Sequence, residues 1–399
     1  MAWQSKVVWS EGMLLQPQHL QQHDRYLATQ LEARVGALRP YAWGVSRLEI
    51  DEQALALGKL ALVAFSGVLP DGTPVGAPGE DELPLPIDIP PDARDVTIVL
   101  ALPVRRHGVP EVDDGHGLEN FARHRSAEVE VWDSNGLDSS AQVTVGKLRL
   151  RLALASEVAD AWVTLGVARV IERRADNRVV LDPAYCPPAL DVRAAPALKG
   201  FLDELLGLLH QRGEALAARL AQPAGAGAAD IADFLLLQLL NRSQPLVAHL
   251  AGMSGLHPEA LYRELVRLAG ELATFTRADK RPGPYPVYRH DALDASFAPL
   301  MLDLRRSLSA VMDPHAVPIP LEERQFGIRV AVLPDRALLH SATFVLAVQA
   351  QLAPEAVRAG FPPQVKIGSV ETIRDLVNLQ LPGIALRPLP VAPRQLPYL

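Results

Sequence analysis

The first regular pattern along the chain is helical and lies close to the amino terminus. Five apolar residues fall on one stripe of a helix, namely Leu20, Leu27, Leu31, Val35 and Leu38. Pro17 suits the first helical turn, where its missing N–H is not needed. The pair Arg39-Pro40 ends the pattern, because a residue that precedes proline disfavours helical backbone. The sequence therefore predicts an amphipathic helix from Gln16 to Leu38.

Between Trp43 and about Tyr185 the pattern changes to short strands. The apolar or alternating runs are RLEID, KLALVAFSG, DVTIVLALPV, AEVEVWD, AQVTVGKLRLRLALA and AWVTLGVARVIE. Clusters of turn-forming residues, such as PDGTPVGAPGED and DSNGLDSS, separate them. Short strands at a regular spacing, with Gly, Pro, Asn and Asp between them, are typical of a β-sandwich or a barrel-like domain.

After the stop CPPAL, helical spacing returns. The predicted helices run from Ala197 to Leu220, from Asp230 to about Leu240, from His257 to about Thr276 and from about Ser296 to Met312. Asp230 is the predicted N-cap of the second helix, and the Ala/Gly-rich stretch PAGAGAA before it reads as a flexible connection. Four helices joined by short polar loops indicate a helical bundle.

From about Ala316 the chain carries mixed patterns. FGIRVAVL and ATFVLAVQA are predicted strands, VETIRDLVNL a helix, and PGIALRPLPVAPRQLPYL an extended tail broken by prolines. The tail has no polar finish, so we expect the natural protein to continue beyond it. The predicted fold class is multidomain α+β, with a β-sandwich domain over residues 1–188, a helical bundle over 189–315 and a small α+β domain over 316–399.

Composition and charge exclude several classes of protein. The chain has 399 residues, of which 49% are hydrophobic, enough for two or three folded domains. Its formal net charge is -7 and its basic residues form no stripe, so nucleic acid is not an expected partner. The single cysteine, Cys186, cannot form an internal disulfide, which fits a reducing cytoplasm. No run has the length of a signal peptide core or a membrane span.

The search for catalytic chemistry starts with His19 and His23, which lie on adjacent turns of the first helix. That spacing can hold zinc, but the glutamate of an HExxH motif is absent and no third ligand follows Asp24. The segment VDDGHGLEN gathers acids and a histidine, yet its glycines and its place between strands favour a solvated loop. The sequence predicts no metal ligand, no cofactor-binding residue and no catalytic residue.

Two glycine-containing motifs fall short of known site signatures. GAGAAD precedes a predicted helix, as a phosphate-binding loop does, but no strand comes before it and no GxxxxGK[ST] is present. GMSGL resembles a nucleophile elbow until Leu256 stands where the second glycine belongs. Neither motif supports nucleotide binding or serine hydrolase chemistry.

The opening segment has the composition of a protein-binding surface. Its apolar residues Trp9, Met13, Leu14 and Leu15 form an extended strip, and Gly12 allows a turn within it. The glutamines that follow can hydrogen-bond without the desolvation cost of a full charge. Two interpretations stay open: the segment forms a surface for another protein, or it fills the interior of the β-rich domain of its own chain.

The segment VVWSEGMLLQPQHLQQHDRYL, residues 7–27, resembles the amino-terminal signature of the TssK family, also called ImpJ/VasE, of type VI secretion baseplate subunits. Near the other end, VETIRDLVNLQLPGIALRPLPVAPRQLPY resembles the carboxy-terminal region of the same family. The order of β-rich, helical and mixed regions also agrees. Members of that family continue beyond the last LPY, so the resemblance implies that the final domain is incomplete here.

This resemblance implies a homotrimer with a β-sandwich shoulder, a helical neck and a head. The shoulder would bind the baseplate proteins TssF and TssG, and the head would bind TssL and TssM of the inner-membrane complex, from the cytoplasmic side. The residues expected to contact partners are Trp9, Met13, Leu14, Gln16, Pro17, Gln18, His19 and Tyr26. Those expected to form the trimeric neck are Phe234, Leu236, Leu237 and Leu240, because the second helix is apolar nearly all round.

Two other functions are weighed against this structural role. A glycan-binding module built on the β-rich domain would use aromatic stacking platforms, but aromatic residues make up only 5% of the chain. A metal-dependent hydrolase would use His19, His23 and Asp24. The absence of any nucleophile, base and orienting group that can be placed on one scaffold favours the structural role over an enzyme.

Overall fold

The computed structural model describes residues 4–113, 122–136, 139–158, 160–221, 228–309 and 319–387, except positions 334, 336–337, 342–343, 349 and 352–353. The chain divides into two compact units. The first consists of Met1–Gly213 and Leu239–Ser309, and the second of Glu214–Gln238 and Ala310–Leu399.

The β-strands of the first unit agree with the strand-rich region of the sequence. They are β1 Gly44–Ile50, β2 Lys59–Leu60, β3 Leu62–Val68, β4 Pro74–Ala77, β5 Ile87–Asp88, β6 Arg94–Pro103, β7 Val112–Asp113, β8 His124–Trp132, β9 Ser140–Leu148, β10 Arg151–Leu154, β11 Trp162–Arg173 and β12 Val179–Leu181. One short helix, α2 Glu52–Ala56, interrupts them and is capped by the Asp51 carboxylate.

The strands form several small sheets, in which all pairs except the short parallel pair of β7 and β8 are antiparallel. The largest has the order β10-β6-β11-β12, and a second has the order β1-β3-β4. Strands β6 and β11 pair along almost their whole length, from Trp162 opposite Pro103 to Glu172 opposite Arg94. The apolar run Ile98 to Leu102 of β6 is buried, which explains why this strand reads as continuous rather than alternating.

Strands β8 and β9 form a long two-stranded ribbon. They pair from His124 opposite Leu148 to Trp132 opposite Ser140, and β7 adds only two residues beside the first end of β8. At that end, Arg123 is only 1% exposed, donates to the Pro103 carbonyl at 2.7 Å and lies 2.6 Å from the Asp71 carboxylate. Burial lowers the pKa of Arg123, and Asp71 opposes this shift. This buried ion pair attaches the ribbon to the rest of the unit.

The helices of the chain begin with α1 Pro17–Leu38, which matches the predicted first helix. The others are α3 Pro196–Leu220, α4 Ala228–Gly252, α5 Pro258–Thr276, α6 Leu293–Ser309, α7 Leu338–Ser341, α8 Pro354–Gln364 and α9 Ile373–Asn378. Helix α5 is capped by His257, whose Nδ1 accepts the Glu259 N–H at 3.1 Å. Helices α3 and α4 each contribute residues to both units.

The prediction for α4 was wrong at both of its ends. The helix starts at Ala228, so Asp230 lies in its first turn and is not its N-cap, and it continues past Leu240 to Gly252. Pro245 lies inside the helix, where it removes one backbone hydrogen bond at a cost of about 3 kcal/mol. Leu240 and Val247, on either side of it, are buried, and their packing offsets that cost.

The second unit combines α-helices with one small antiparallel sheet. Strand β13 Leu321–Glu323 pairs with β14 Arg329–Ala331. Strand β14 lies within the predicted strand FGIRVAVL. The predicted strand ATFVLAVQA was wrong, since its described part, residues 344–348 and 350, has no regular structure. Helix α9 confirms the predicted helix in VETIRDLVNL. Helix α8 was not predicted, because Pro362 and Pro363 near its end argue against a helix.

The predicted mixed α+β class is confirmed. The predicted domain bounds at residues 188 and 315 stay a prediction. Segment 222–227, which holds most of PAGAGAA, and residues 310–318 after α6 lie outside the described residues. Most of VDDGHGLEN, at 114–121, lies outside them as well, and so does the end of the tail from residue 388.

Candidate functional site

His19 and His23 do not form the start of a metal site in the part of the chain that the structure describes. No group of three or more His, Cys, Asp or Glu side chains lies close enough to hold a metal ion there. The Nδ1 of His19 accepts the Gln16 N–H at 3.1 Å, so one ring nitrogen already stabilises the start of α1. Both histidine rings instead contact the indole of Trp9, with centroids 6.3 and 6.0 Å away.

The opening segment does not fill the interior of its own chain. Gly12 has the positive φ of +78° that its predicted turn requires. In the strip around it only Val7 is buried, whereas Val8, Trp9, Leu14 and Leu15 are exposed. Apolar side chains that stay in water in a single chain mark a surface that another protein can cover.

Helix α1 turns its apolar side outward. Its side toward the rest of the chain consists of half-buried and mostly polar residues, namely His19, Gln22, His23, Arg25, Tyr26 and Thr29. The apolar stripe, Leu20, Leu27, Leu31, Val35 and Leu38, is 42–87% exposed. None of the 22 residues of α1 is buried. We call these five residues the outer stripe.

The structure brings the predicted partner-contact residues together on one local element. Trp9, Leu14, Gln16, Pro17 and Gln18 are exposed there. Met13, His19 and Tyr26 are half-buried. The sequence prediction missed that the outer stripe, and not only the strip before the helix, is exposed. The apolar stripe itself was the signal, but its spacing alone does not indicate whether the stripe faces the chain or the solvent.

The four predicted neck residues divide into two pairs. Leu236 and Leu240 are buried within the chain itself, so they are not available to another copy. Phe234 is exposed and Leu237 is half-buried. Ile231 and Leu235 are exposed beside them. The predicted trimer contact stays a prediction, and of its four residues Phe234 and Leu237 are the two with accessible side chains.

The ribbon of β8 and β9 presents a second exposed apolar face. Because side chains alternate along a strand, one face of the paired strands holds only aliphatic residues at its centre: Ala127, Val129, Val131, Ala141, Val143 and Val145. Val131 and Val143 are exposed, and no residue of the face is fully buried. The opposite face carries Glu128 and Glu130. A ribbon of two strands gains little stability by itself, so this face is also suited to a neighbour.

A buried histidine pair was not found by sequence reasoning. The rings of His257 and His290 stack at 5.1 Å with an angle of 7° between their planes, and each residue is 2% exposed. Their Nε2–H groups donate to two carbonyls of the segment after α1, that of Tyr41 at 3.1 Å and that of Trp43 at 2.7 Å. The pair thus holds the segment that joins α1 to β1.

Both imidazoles are kept neutral. Burial lowers the pKa of His257, and it lowers the pKa of His290 to about 4. The Tyr288 hydroxyl and the His290 Nδ1 are 2.7 Å apart. His290 donates through Nε2, so its Nδ1 accepts this hydrogen bond. Only His257-Pro258-Glu259 carried a sequence signal, as a helix start, and nothing marked His290.

Cys186 is a buried thiol without a role in the candidate surface. It is 3% exposed, and burial raises its pKa to about 12. A thiol with a raised pKa is a weak nucleophile, because the thiolate is the reactive form. This cysteine therefore belongs to the interior packing.

Comparison with known proteins identifies the family. The model of the family described as "Bacterial Type VI secretion, VC_A0110, EvfL, ImpJ, VasE" matches residues 19–399. The chain belongs to this family. A curated relative, the type VI secretion system baseplate component TssK1 of Pseudomonas aeruginosa, is 52% identical over 400 residues, which cover 100% of this chain and 90% of the relative.

Solved structures of TssK share the fold. A crystal structure of TssK has a TM-score of 0.74 and 44% identity, and the match covers 99% of this chain and 89% of that one. The TssK-TssF-TssG baseplate subcomplex seen by electron cryo-microscopy contains a chain with a TM-score of 0.68 and 33% identity, matched over 77% of this chain and 99% of that one. Among the described residues, no helix combines the length and apolar character needed to cross a membrane.

Proposed function

We propose that this chain is a structural component of a type VI secretion baseplate and has no catalytic activity. It acts as a homotrimer that binds TssF and TssG through its shoulder and TssL and TssM through its head, at the cytoplasmic face of the inner membrane. The observation that carries the proposal is the 52% identity to TssK1 over the whole chain. A TssK with the same fold forms a baseplate subcomplex with TssF and TssG.

The outer stripe of α1, together with the strip around Trp9 and Leu14, is the surface that we assign to TssF and TssG. A helix with a polar inner side and an apolar outer side gains little burial from its own chain. Covering the stripe by a partner supplies about 25 cal/mol per Å² of apolar surface. Phe234 and Leu237 on the outer side of α4 are assigned to the contact between copies.

The experiment tests capture of TssF and TssG by the full chain, with Leu27 and Leu31 both changed to Asp. These residues are one helical turn apart and both exposed. The matched control changes Ala33 and Ala37 to Asp, which are exposed, equally spaced and on another side of the same helix. We expect the leucine variant to lose at least about tenfold in affinity, or roughly 1.4 kcal/mol, while the alanine variant binds as the unchanged chain does.

Light scattering on the same samples separates the two assigned surfaces. A trimer that no longer captures TssF and TssG supports the assignment of the stripe. A leucine variant that becomes monomeric would assign the stripe to the contact between copies. Equal capture by both variants would contradict the surface, and an unchanged chain that is monomeric would contradict the homotrimer.

The head assignment is tested with the cytoplasmic part of TssL. The unchanged trimer should capture it, and the Leu27/Leu31 variant should capture it equally well, because the changed residues belong to a different region of the chain. Failure of a trimer that captures TssF and TssG to capture TssL would contradict the assignment to the head.

A further inference from the structure

Two imidazoles hold the connection between α1 and β1. Helix α1 ends at Leu38 and β1 begins at Gly44, so five residues join them. His257 and His290 donate to the carbonyls of Tyr41 and Trp43 on either side of Ala42. The Tyr41 ring also stacks on His290 at 5.3 Å, and the Trp43 ring meets it edge-on at 4.7 Å.

The same connection has a constrained backbone. Tyr41 has a φ of +58°, a conformation that costs free energy for a residue with a side chain. Gly44 has a φ of +129°, and a Cβ there would lie 2.8 Å from the Pro188 carbonyl oxygen. Such a segment keeps its shape only while its surroundings hold it, and at Tyr41 and Trp43 the imidazoles supply the side-chain hydrogen bonds.

His257 fits this position only in its neutral form. The Nε2 atoms must donate, because both of their partners are carbonyl oxygens. The Nδ1 of His257 must accept, because its partner is the backbone N–H of Glu259. A second proton on that ring would place two donors against each other and remove the cap of α5. Two stacked rings at 5.1 Å also cannot both carry a positive charge without repulsion.

The charged groups around the pair do not offset an added proton. Arg39, at the end of α1, repels a protonated His257, whereas Glu259 of α5 attracts it. Asp291, just before α6, attracts a protonated His290, and His257 repels it. Tyr41 and Tyr288 contribute rings and one hydroxyl but no charge. The carbonyls of Tyr41 and Trp43 favour the charged form of the ring that donates to them, but burial outweighs this and keeps the pKa of each histidine lowered.

We propose that the stacked imidazoles of His257 and His290 form an acid-opened clasp that fixes the direction of α1 relative to β1. Protonation of His257 at Nδ1 places two donors against each other, so its ring must leave the Glu259 N–H and with it the Tyr41 carbonyl and the stack on His290. Helix α1 with its outer stripe then loses its fixed direction. The clasp stands on the contacts above, and only its effect on partner binding rests on the proposed function.

Hydrogen exchange of the full chain, read by mass spectrometry at pH 7 and pH 5, tests the clasp without any partner. After correction for the intrinsic pH dependence of exchange, we expect residues 17–43 to exchange at least about fivefold faster at pH 5. The proton concentration rises about tenfold with each unit of decrease in pH, so the charged ring and with it the released connection become more populated. The variant His257→Gln with His290→Gln keeps a donor at each site and cannot be protonated, so its exchange should not change with pH. His249→Gln, at an exposed histidine of α4, is the control and should behave as the unchanged chain does.

The clasp is wrong if the double glutamine variant shows the same acid response as the unchanged chain, or if the unchanged chain shows none. If the double variant does not fold, Trp43 fluorescence decides, because release of the connection separates the Trp43 indole from the His290 ring and exposes it to water, which shifts its emission to longer wavelength. A red shift between pH 7 and pH 5 that disappears in Trp43→Phe supports the clasp, and equal pH profiles of the two proteins overturn it. If the unchanged chain does not capture TssF and TssG at pH 7, the proposed function is contradicted, whereas the clasp is judged by the exchange and fluorescence results alone.

Discussion

Helices α1 and α5 carry the same kind of amphipathic pattern and turn it in opposite directions. In α5 the leucines Leu261, Leu265, Leu268 and Leu272 are at most 5% exposed. In α1 the outer stripe is at least 42% exposed, and the side toward the chain is mostly polar. Both helices begin with a proline and a histidine in their first turn or at their cap. Their local sequence signals therefore do not separate them.

The difference shows what hydrophobic periodicity measures. It shows that one side of a helix is apolar and gives no information about which molecule covers that side. Helix α5 gains its burial when the chain folds, whereas α1 gains it only when another surface meets the stripe. A mutation should therefore affect folding in one helix and assembly in the other.

The largest effect on folding is expected from Leu265→Ala in α5. Leu265 is 1% exposed, and removing a fully buried leucine side chain leaves a cavity. The loss in free energy of unfolding should be about 2–5 kcal/mol, measured by urea denaturation of the full chain. A loss below about 1 kcal/mol would mean that this side of α5 is not packed as described.

Acidification should have the next largest effect, because α5 is capped by one histidine of the buried pair. Burial lowers the pKa of His290 to about 4, so the unfolded chain binds the proton more readily than the folded chain does. The stability that the neutral ring contributes is therefore intact above about pH 6.5 and is lost as the pH falls toward 4. At about 1.4 kcal/mol per pKa unit, the shift of His290 corresponds to a loss of roughly 3 kcal/mol in the free energy of unfolding. Urea denaturation across this range, compared with His290→Gln, measures it.

If His290→Gln loses stability with the same slope between pH 6.5 and pH 4, other groups cause the acid sensitivity. His249→Gln, at an exposed histidine of α4, is the control and should leave the slope unchanged.

The smallest effect is expected from Leu31→Ala in α1. Leu31 is 67% exposed, so its truncation in the chain without partners should change the free energy of unfolding by less than about 0.5 kcal/mol. The same denaturation measurement as for Leu265→Ala gives a direct comparison. A loss of about 2 kcal/mol or more would show that copies of the chain already cover the stripe.

Much of the fold could be predicted from local patterns. Helices α1, α3 and α5 begin and end within one residue of the predicted positions, because proline, the histidine cap and leucine spacing mark them. The strands β6 and β11 were evident as apolar runs. These signals are local in sequence, so a single chain displays them fully.

The errors arise where distant residues decide. Helix α4 continues through Pro245 because Leu240 and Val247 are buried around it, which no local rule indicates. ATFVLAVQA has strand composition, yet its described part pairs with no other described strand. His257 and His290 are 33 positions apart and meet only in the folded chain. The candidate surface was predicted in part, since its residues were identified without their direction.

The ribbon of β8 and β9 also bears on how the chain avoids joining copies of itself at random. From Ser126 to Trp132 the outer edge of β8 pairs with no other described strand, and open edges recruit extended backbone. If two such edges met in antiparallel fashion around Val129, Glu128 of each copy would face Glu130 of the other, and like charges directly opposite are unfavourable. Glu128 and Glu130 thus disfavour edge-to-edge pairing of two copies through β8, while the aliphatic face of the ribbon stays accessible.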